Sequence, residues 1–180
     1  MPADMLITLE GRHFRRQYLL YIIEIIHGDD RHYYIGQTGD HNYVTARPAF
    51  RRLAGHLEDM GRSTQNQVYR YLAVKELKYS EAADNGRNFS DEIKQAVENY
   101  LVHSTVNMHV YILQEFPQGI DRDAHLENVR KVRHFEKMVM EMFVKRHKNI
   151  ANLKISKPPK ERKCPYPEIL QRIKDDFSLD

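Results

Sequence analysis

Tyr18 to Ile26 (YLLYIIEII) is an apolar and aromatic run too short for a typical helix and apolar on both faces, which predicts a central strand. Turn residues follow at His27-Gly28-Asp29-Asp30-Arg31. His32 to Gly36 predicts a second strand, antiparallel to the first because the connection is hairpin-short. Past a polar loop, Pro48 opens a helix whose apolar stripe is Ala49, Leu53, Leu57 and Met60, and Gly61 closes it. Asn66 to Lys78, and Asp91 to His103 behind a Ser90 cap, predict two more helices with an Asn85-Gly86 turn between them. Asn107 to Gln114 predicts a third strand. From Asp121 to about Lys148 runs a long amphipathic helix with Val129, Val132, Val139 and Phe143 along one face. After a linker at Ser156-Lys157-Pro158-Pro159-Lys160, Glu168 to Phe177 predicts a short closing helix.

This order describes an α/β sandwich with a small three-stranded antiparallel sheet flanked by helices. Residues 62–105 read as a helical insertion within a domain of residues 1–155, and residues 156–180 as a C-terminal linker and short helix. With 180 residues, 41% apolar and 29% charged, the chain suits one core rather than two. Its formal net charge of +3 tolerates a polyanionic partner without demanding one. No apolar stretch approaches the ~20 residues that cross a bilayer, and the opening residues lack the charged-then-apolar order of a secretory signal, so the expected location is cytoplasmic. A lone cysteine, Cys164, excludes an internal disulfide framework and a thiolate zinc site.

Candidate chemistry rests on polar groups set where packing favours apolar ones. Glu136 falls inside the valine and phenylalanine seam of the long helix, where an ionised carboxylate is costly without a compensating cation or donor. A divalent metal meets that need, since magnesium is commonly held by one carboxylate plus waters and substrate phosphate. Pairing with Arg133, Lys137 or His134 is the plainer alternative. Arg52 and His56, four apart on the helix after Pro48, project from one side and can reach one phosphate together; a solvated flank is the bland reading. Tyr21 and Tyr34 lie on adjoining strands, where their phenols can meet. A phenol is a poor base at its usual pKa of ~10, so activating water there requires an arginine or metal to depress it.

In order along the chain, Leu19-Leu20-Tyr21, YIGQT (Tyr34 to Thr38), RLAGH (Arg52 to His56) and HFEKMVMEMF (His134 to Phe143) resemble the core of the GIY-YIG nuclease superfamily. The resemblance spans roughly Tyr18 to Leu153, with Leu-Leu-Tyr in place of Gly-Ile-Tyr and a longer stretch from Gly36 to Arg52 than compact members have. It implies that Tyr21 and Tyr34 orient or deprotonate the attacking water, that Arg52 holds the scissile phosphate, and that His56 assists proton transfer. Glu136 becomes the metal-binding carboxylate for Mg2+ or Mn2+. The asparagine that follows this helix in many members is Asn149 or Asn152.

The implied activity is metal-dependent hydrolysis of DNA phosphodiester bonds. Homing members carry a separate DNA-binding region and repair members sit in larger proteins, so the layout is most similar to the small restriction endonucleases, in a restriction or phage-defence role. Structure-specific repair or recombination, and an inactive DNA-binding module of the same fold, are the alternatives. Within the insertion, Arg62, Asn66, Gln67, Arg70 and Lys75 are candidate DNA contacts, because Arg, Gln and Asn read base edges. A homodimer is the simplest way for so small a protein to cut both strands.

Overall fold

The computed structural model describes the chain except residues 1–6, 59–65, 80–88, 147, 160 and 180. Met60, Gly61, Arg62 and the Asn85-Gly86 turn therefore lie outside the described residues. The elements are β1 (Gln17–His27), β2 (Asp30–Gln37), α1 (Ala49–Leu57), α2 (Gln67–Tyr71) running into a π turn (Leu72–Glu76), α3 (Asp91–Val102), β3 (Ser104–Glu115), α4 (Arg122–Lys145), β4 (Asn149–Ile150) and α5 (Pro167–Phe177). A 3-10 turn at Gly11–Phe14 precedes them. Among the described residues no helix is long and apolar enough to cross a membrane.

The sheet is four-stranded and mixed, in the order β3-β1-β2-β4, which corrects the expected three-stranded antiparallel sheet. β1 pairs antiparallel with both β2 and β3, while β4 runs parallel to β2 and touches it only at His32 and Tyr33. Two residues carry no readable periodicity, which is why β4 is invisible in the sequence. β1 is central and buried on both faces, and side chains alternate across it. Tyr21, Ile23 and Ile25 face Val68, Leu72, Phe89, Ile93 and Val97 of the α2–α3 side. Leu20 and Ile22 face Phe135, Val139, Met140 and Phe143 of α4. Glu24 breaks the apolar run yet is satisfied, accepting from Arg31 Nη1 at 2.8 Å and Asn107 Nδ2 at 3.1 Å.

Caps end the helices where local chemistry places them. Ser90 Oγ accepts from Ile93 N and Asp121 Oδ1 from Ala124 N, each satisfying an orphan amide of a first turn. The helices of the segment read as an insertion pack on the sheet, where Val68, Leu72, Ile93 and Val97 are buried with Tyr21, Ile23 and Ile25. Residues 156–180 hold the expected linker and short helix, and the helix packs on the core. Ile173, Phe177 and Leu179 are buried against Tyr33, Phe135 and Phe143, so α5 completes the α4 side of the sandwich. Phe177 meets the rings of His109, Phe143 and Tyr33 at 4.8, 5.2 and 5.7 Å. Phe177→Ala is expected to cost about 3–5 kcal/mol of unfolding free energy in a denaturant titration. Wild-type stability in that variant would detach α5 from the core.

Candidate active site

Five polar side chains from four elements meet beside β2. On β1, Tyr21 lies opposite Gly36 in the hairpin register and one step diagonal from Tyr34, so the two phenol rings stack 6.3 Å apart. The missing side chain at Gly36 is what admits Tyr21: a Cβ built there comes within 2.4 Å of the Tyr21 hydroxyl. Two hydrogen bonds anchor that ring, so it cannot swing aside cheaply. Gly36→Ala is expected to destabilise the fold by about 1–3 kcal/mol and to lower any activity further than stability alone explains, measured by thermal melts beside initial rates.

α1 brings Arg52 and His56 over the same phenol. Arg52 Nε donates to Tyr21 Oη at 2.9 Å, and Tyr21 Oη lies 2.9 Å from His56 Nε2. His56 is 1% exposed, and burial, reinforced by the Arg52 charge, pushes its pKa down to about 3. A neutral imidazole follows. Since Tyr21 oxygen already accepts from Arg52, we assign Tyr21 O–H as the donor to His56 Nε2, which leaves the proton on His56 Nδ1, buried and without a partner. His56 is thus an empty proton acceptor aimed at Tyr21, rather than part of a solvated flank.

The condition for a phenol to act as a base, a pKa depressed by an arginine or metal, is not met by Arg52 in the protein alone. Burial raises the Tyr21 pKa more than the Arg52 charge and hydrogen bond lower it, and burial raises that of Tyr34 well above its usual value. Both phenols rest protonated. A relay through Tyr21 to His56 would require its buried hydroxyl to be reached by substrate or water, since the ring is 0% exposed.

Glu136 of α4 shares a cleft with Tyr34, and its charge is felt by Tyr21, Tyr34 and Arg52. Its carboxylate lines a cleft of about 760 Å³ with Tyr34, Gln67, Arg70, Lys75 and Asn152. Burial pushes its pKa up to about 7, against the opposing charges of Arg133, Arg52 and Lys137. Those three cations act through space; among the described residues none forms an ion pair with it. His134, the other alternative partner, bonds the Lys163 carbonyl at 3.1 Å instead. A half-buried carboxylate with two open oxygens at the mouth of a polar cleft fits a divalent cation completed by water and phosphate oxygens. Among the described residues no group of three or more His, Cys, Asp or Glu side chains gathers to hold an ion, and Glu136 is the one carboxylate that lines this cleft.

The two candidate asparagines separate. Asn149 is exposed on β4, whereas Asn152 lines the Glu136 cleft and clamps the backbone of Ile35, accepting from its N–H at 2.9 Å and donating to its C=O at 2.7 Å. Of the candidate DNA contacts, Gln67, Arg70 and Lys75 line the cleft. Asn66 is a correction: it is 0% exposed, set into the core side of α2, and so has no surface to offer a duplex. Arg62 lies outside the described residues. Missed by sequence reasoning are Thr38, whose hydroxyl accepts from Leu19 N at 2.8 Å and donates to Gln17 O at 2.6 Å, and the buried His125, which ties Tyr18 to the Asp40 carbonyl. Their polar character gave no warning, because both are structural clamps between segments distant in sequence.

Compared with known proteins, the chain matches no family model, no curated protein and no solved structure. The functional reading therefore rests on the residues and their geometry.

Proposed function

We propose that this chain is a metal-dependent endonuclease of the GIY-YIG type that hydrolyses DNA phosphodiester bonds in a restriction or phage-defence role. The observation that carries the reading is the hydrogen-bonded cluster of Tyr21, Arg52 and His56, packed on Tyr34, which itself shares a cleft with Glu136. Packing alone does not require a guanidinium, an imidazole, two phenols and a carboxylate in one place. Gln67, Arg70 and Lys75 on the wall of that cleft fit recognition built into the catalytic domain itself.

Each side chain has a role its position suits. Arg52, half-buried and pinned to Tyr21, presents its remaining N–H groups to phosphate oxygens and offsets charge that grows on them in the transition state. Tyr21 orients the attacking water and takes its proton, passing its own to His56 Nε2. Tyr34 packs against both rings and holds them in register. Glu136 would hold a divalent cation, Mg2+ or Mn2+, which supplies Lewis-acid stabilisation of the phosphate when bound. One active site per chain cuts one strand, so double-strand cleavage is the work of a homodimer.

Incubating the protein with plasmid and phage DNA plus Mg2+ or Mn2+ and mapping the ends tests the reading. Discrete fragments indicate a sequence-specific enzyme; no cleavage of any DNA with either metal defeats it. The pH profile is a second check. Because burial raises Glu136, its ionised form is lost as pH falls through about 7, so at limiting metal the rate should drop about tenfold per pH unit below that point. Added metal competes with the proton and moves this limb to lower pH. His56, held near 3, adds no limb of its own in this range. A rate that is flat across the limb at limiting metal removes Glu136 from the mechanism.

A further inference from the structure

Beside the Tyr21–Glu136 cluster, the β2–α1 loop and α4 enclose a second cleft of about 310 Å³, walled by Gln37, Asp40, Arg47, Arg52 and Arg133. Arg52 belongs to both, since its Nε is committed to Tyr21 while the side chain also borders this cleft. Arg47 and Arg133 face this cleft with no carboxylate bonded to them among the described residues. Arg12, Arg31, Lys131, Lys145 and Arg162 are each paired to a carboxylate within 4.0 Å, whereas Arg47 and Arg133 make no hydrogen bond or ion pair among the described residues. The carboxylate of Asp40 does not answer them. Its Oδ1 accepts from Asn42 N at 2.8 Å and Tyr43 N at 3.3 Å, closing the loop on itself.

The loop that carries Arg47 is also built to stay put. Buried His125 on α4 bonds the Asp40 carbonyl through Nε2 at 2.7 Å, and its Nδ1 sits 2.7 Å from the Tyr18 hydroxyl. Arg122 Nη1 donates to Asn42 O at 3.2 Å, and Asp40 N to Thr45 O at 3.0 Å. Two guanidiniums without a bonded carboxylate, Arg133 sharing only a through-space attraction with Glu136, are held across a polar cleft by a fixed loop and a helix and form a ready anion site.

We infer that Arg47 and Arg133 hold the backbone phosphate next to the scissile one on the same DNA strand, with Arg52 lying between the two phosphates. This rests on the endonuclease reading and adds a strand-holding subsite to it. Two anchored phosphates fix the direction in which the strand crosses Tyr21 and leave the bases free to meet Gln67, Arg70 and Lys75 on the far side of Glu136.

The test measures the affinity of a short fluorescein-labelled DNA duplex by anisotropy across a salt series, in a Glu136→Gln background that cannot consume it. Arg47→Ala and Arg133→Ala should each reduce the slope of log K against log salt by about 1, and the double variant by about 2. Both side chains are exposed and make no hydrogen bond or ion pair among the described residues, so the variants should keep the melting curve of the Glu136→Gln parent. Arg172→Ala, a cation of α5 outside the cleft, supplies the comparison and should leave the slope unchanged. Slopes equal to the parent in the double variant, while the parent binds DNA, overturn the subsite and leave the endonuclease reading standing. A parent that shows no salt-dependent DNA binding, in a protein whose wild type cuts no DNA, overturns both.

Discussion

Glu136→Gln should abolish DNA cleavage, by on the order of a thousandfold or more, while leaving the protein folded and no less stable than wild type. The size follows from removing the charge that would hold the metal: several kcal/mol of transition-state stabilisation go with it, and each 1.36 kcal/mol is about tenfold in rate. The stability half of the prediction comes from the raised pKa. A carboxyl whose folded-state pKa stands above its unfolded value binds its proton more tightly when folded, so the stability it contributes is present at low pH and lost as pH rises toward about 7. Above that point the wild type carries a buried charge that glutamine does not. Thermal melts above neutral pH should therefore place the variant at or above the wild type, whereas below the ordinary carboxylate range the two should converge. Loss of activity with a gain in stability marks a residue kept for function at the expense of the fold. Cleavage at the wild-type rate, or a variant that melts well below the wild type, would remove Glu136 from the metal site.

Tyr21→Phe is the second large effect. It deletes one oxygen and thereby strands two buried groups, Arg52 Nε and His56 Nε2, each now 2.9 Å from that oxygen. Leaving such partners unsatisfied costs about 1–3 kcal/mol of stability, read from a denaturant titration. Cleavage should fall by about 10²–10⁴, the usual reach of a positioned proton-transfer group. Arg52→Ala should cost about 10²–10³ through loss of phosphate stabilisation. Because the two residues share one hydrogen bond, their effects should not add: the double variant should cut little worse than the poorer single one. Strict additivity, or a Tyr21→Phe protein that cuts normally, would mean that Tyr21 and Arg52 work apart and that the relay to His56 is not used.

Much of this arrangement was legible before any coordinates. The strands stood out because β1 and β2 are rich in β-branched and aromatic residues with turn chemistry between them, and α4 because its apolar seam runs for several turns behind a capping Asp121. Glu136 was legible for the opposite reason, as a charge that violates that seam. What could not be read were relations between segments far apart. The stripes Val68–Leu72 and Ile93–Val97 announced amphipathic helices, but nothing local says that their partner is β1. Asn66 sits at the head of a helix, where a polar side chain is ordinarily solvated, yet the fold closes over it. Arg47 and Arg133 are unremarkable along the chain and become neighbours only when a loop and a helix more than eighty residues apart enclose the same cleft.

The clamp made by Asn152 has a consequence for how such a protein can vary. By offering one acceptor and one donor to Ile35, its side-chain amide imitates a peptide unit and satisfies β2 where the fourth strand has already left. The chain is thereby released from the ladder early, and the stretch of β2 left uncovered is a doorway onto the cleft that Tyr34 and Asn152 share with Glu136. Lengthening β4 by even a residue or two would add backbone pairing and brick up that doorway, so here a shorter ladder is what keeps the chemistry open.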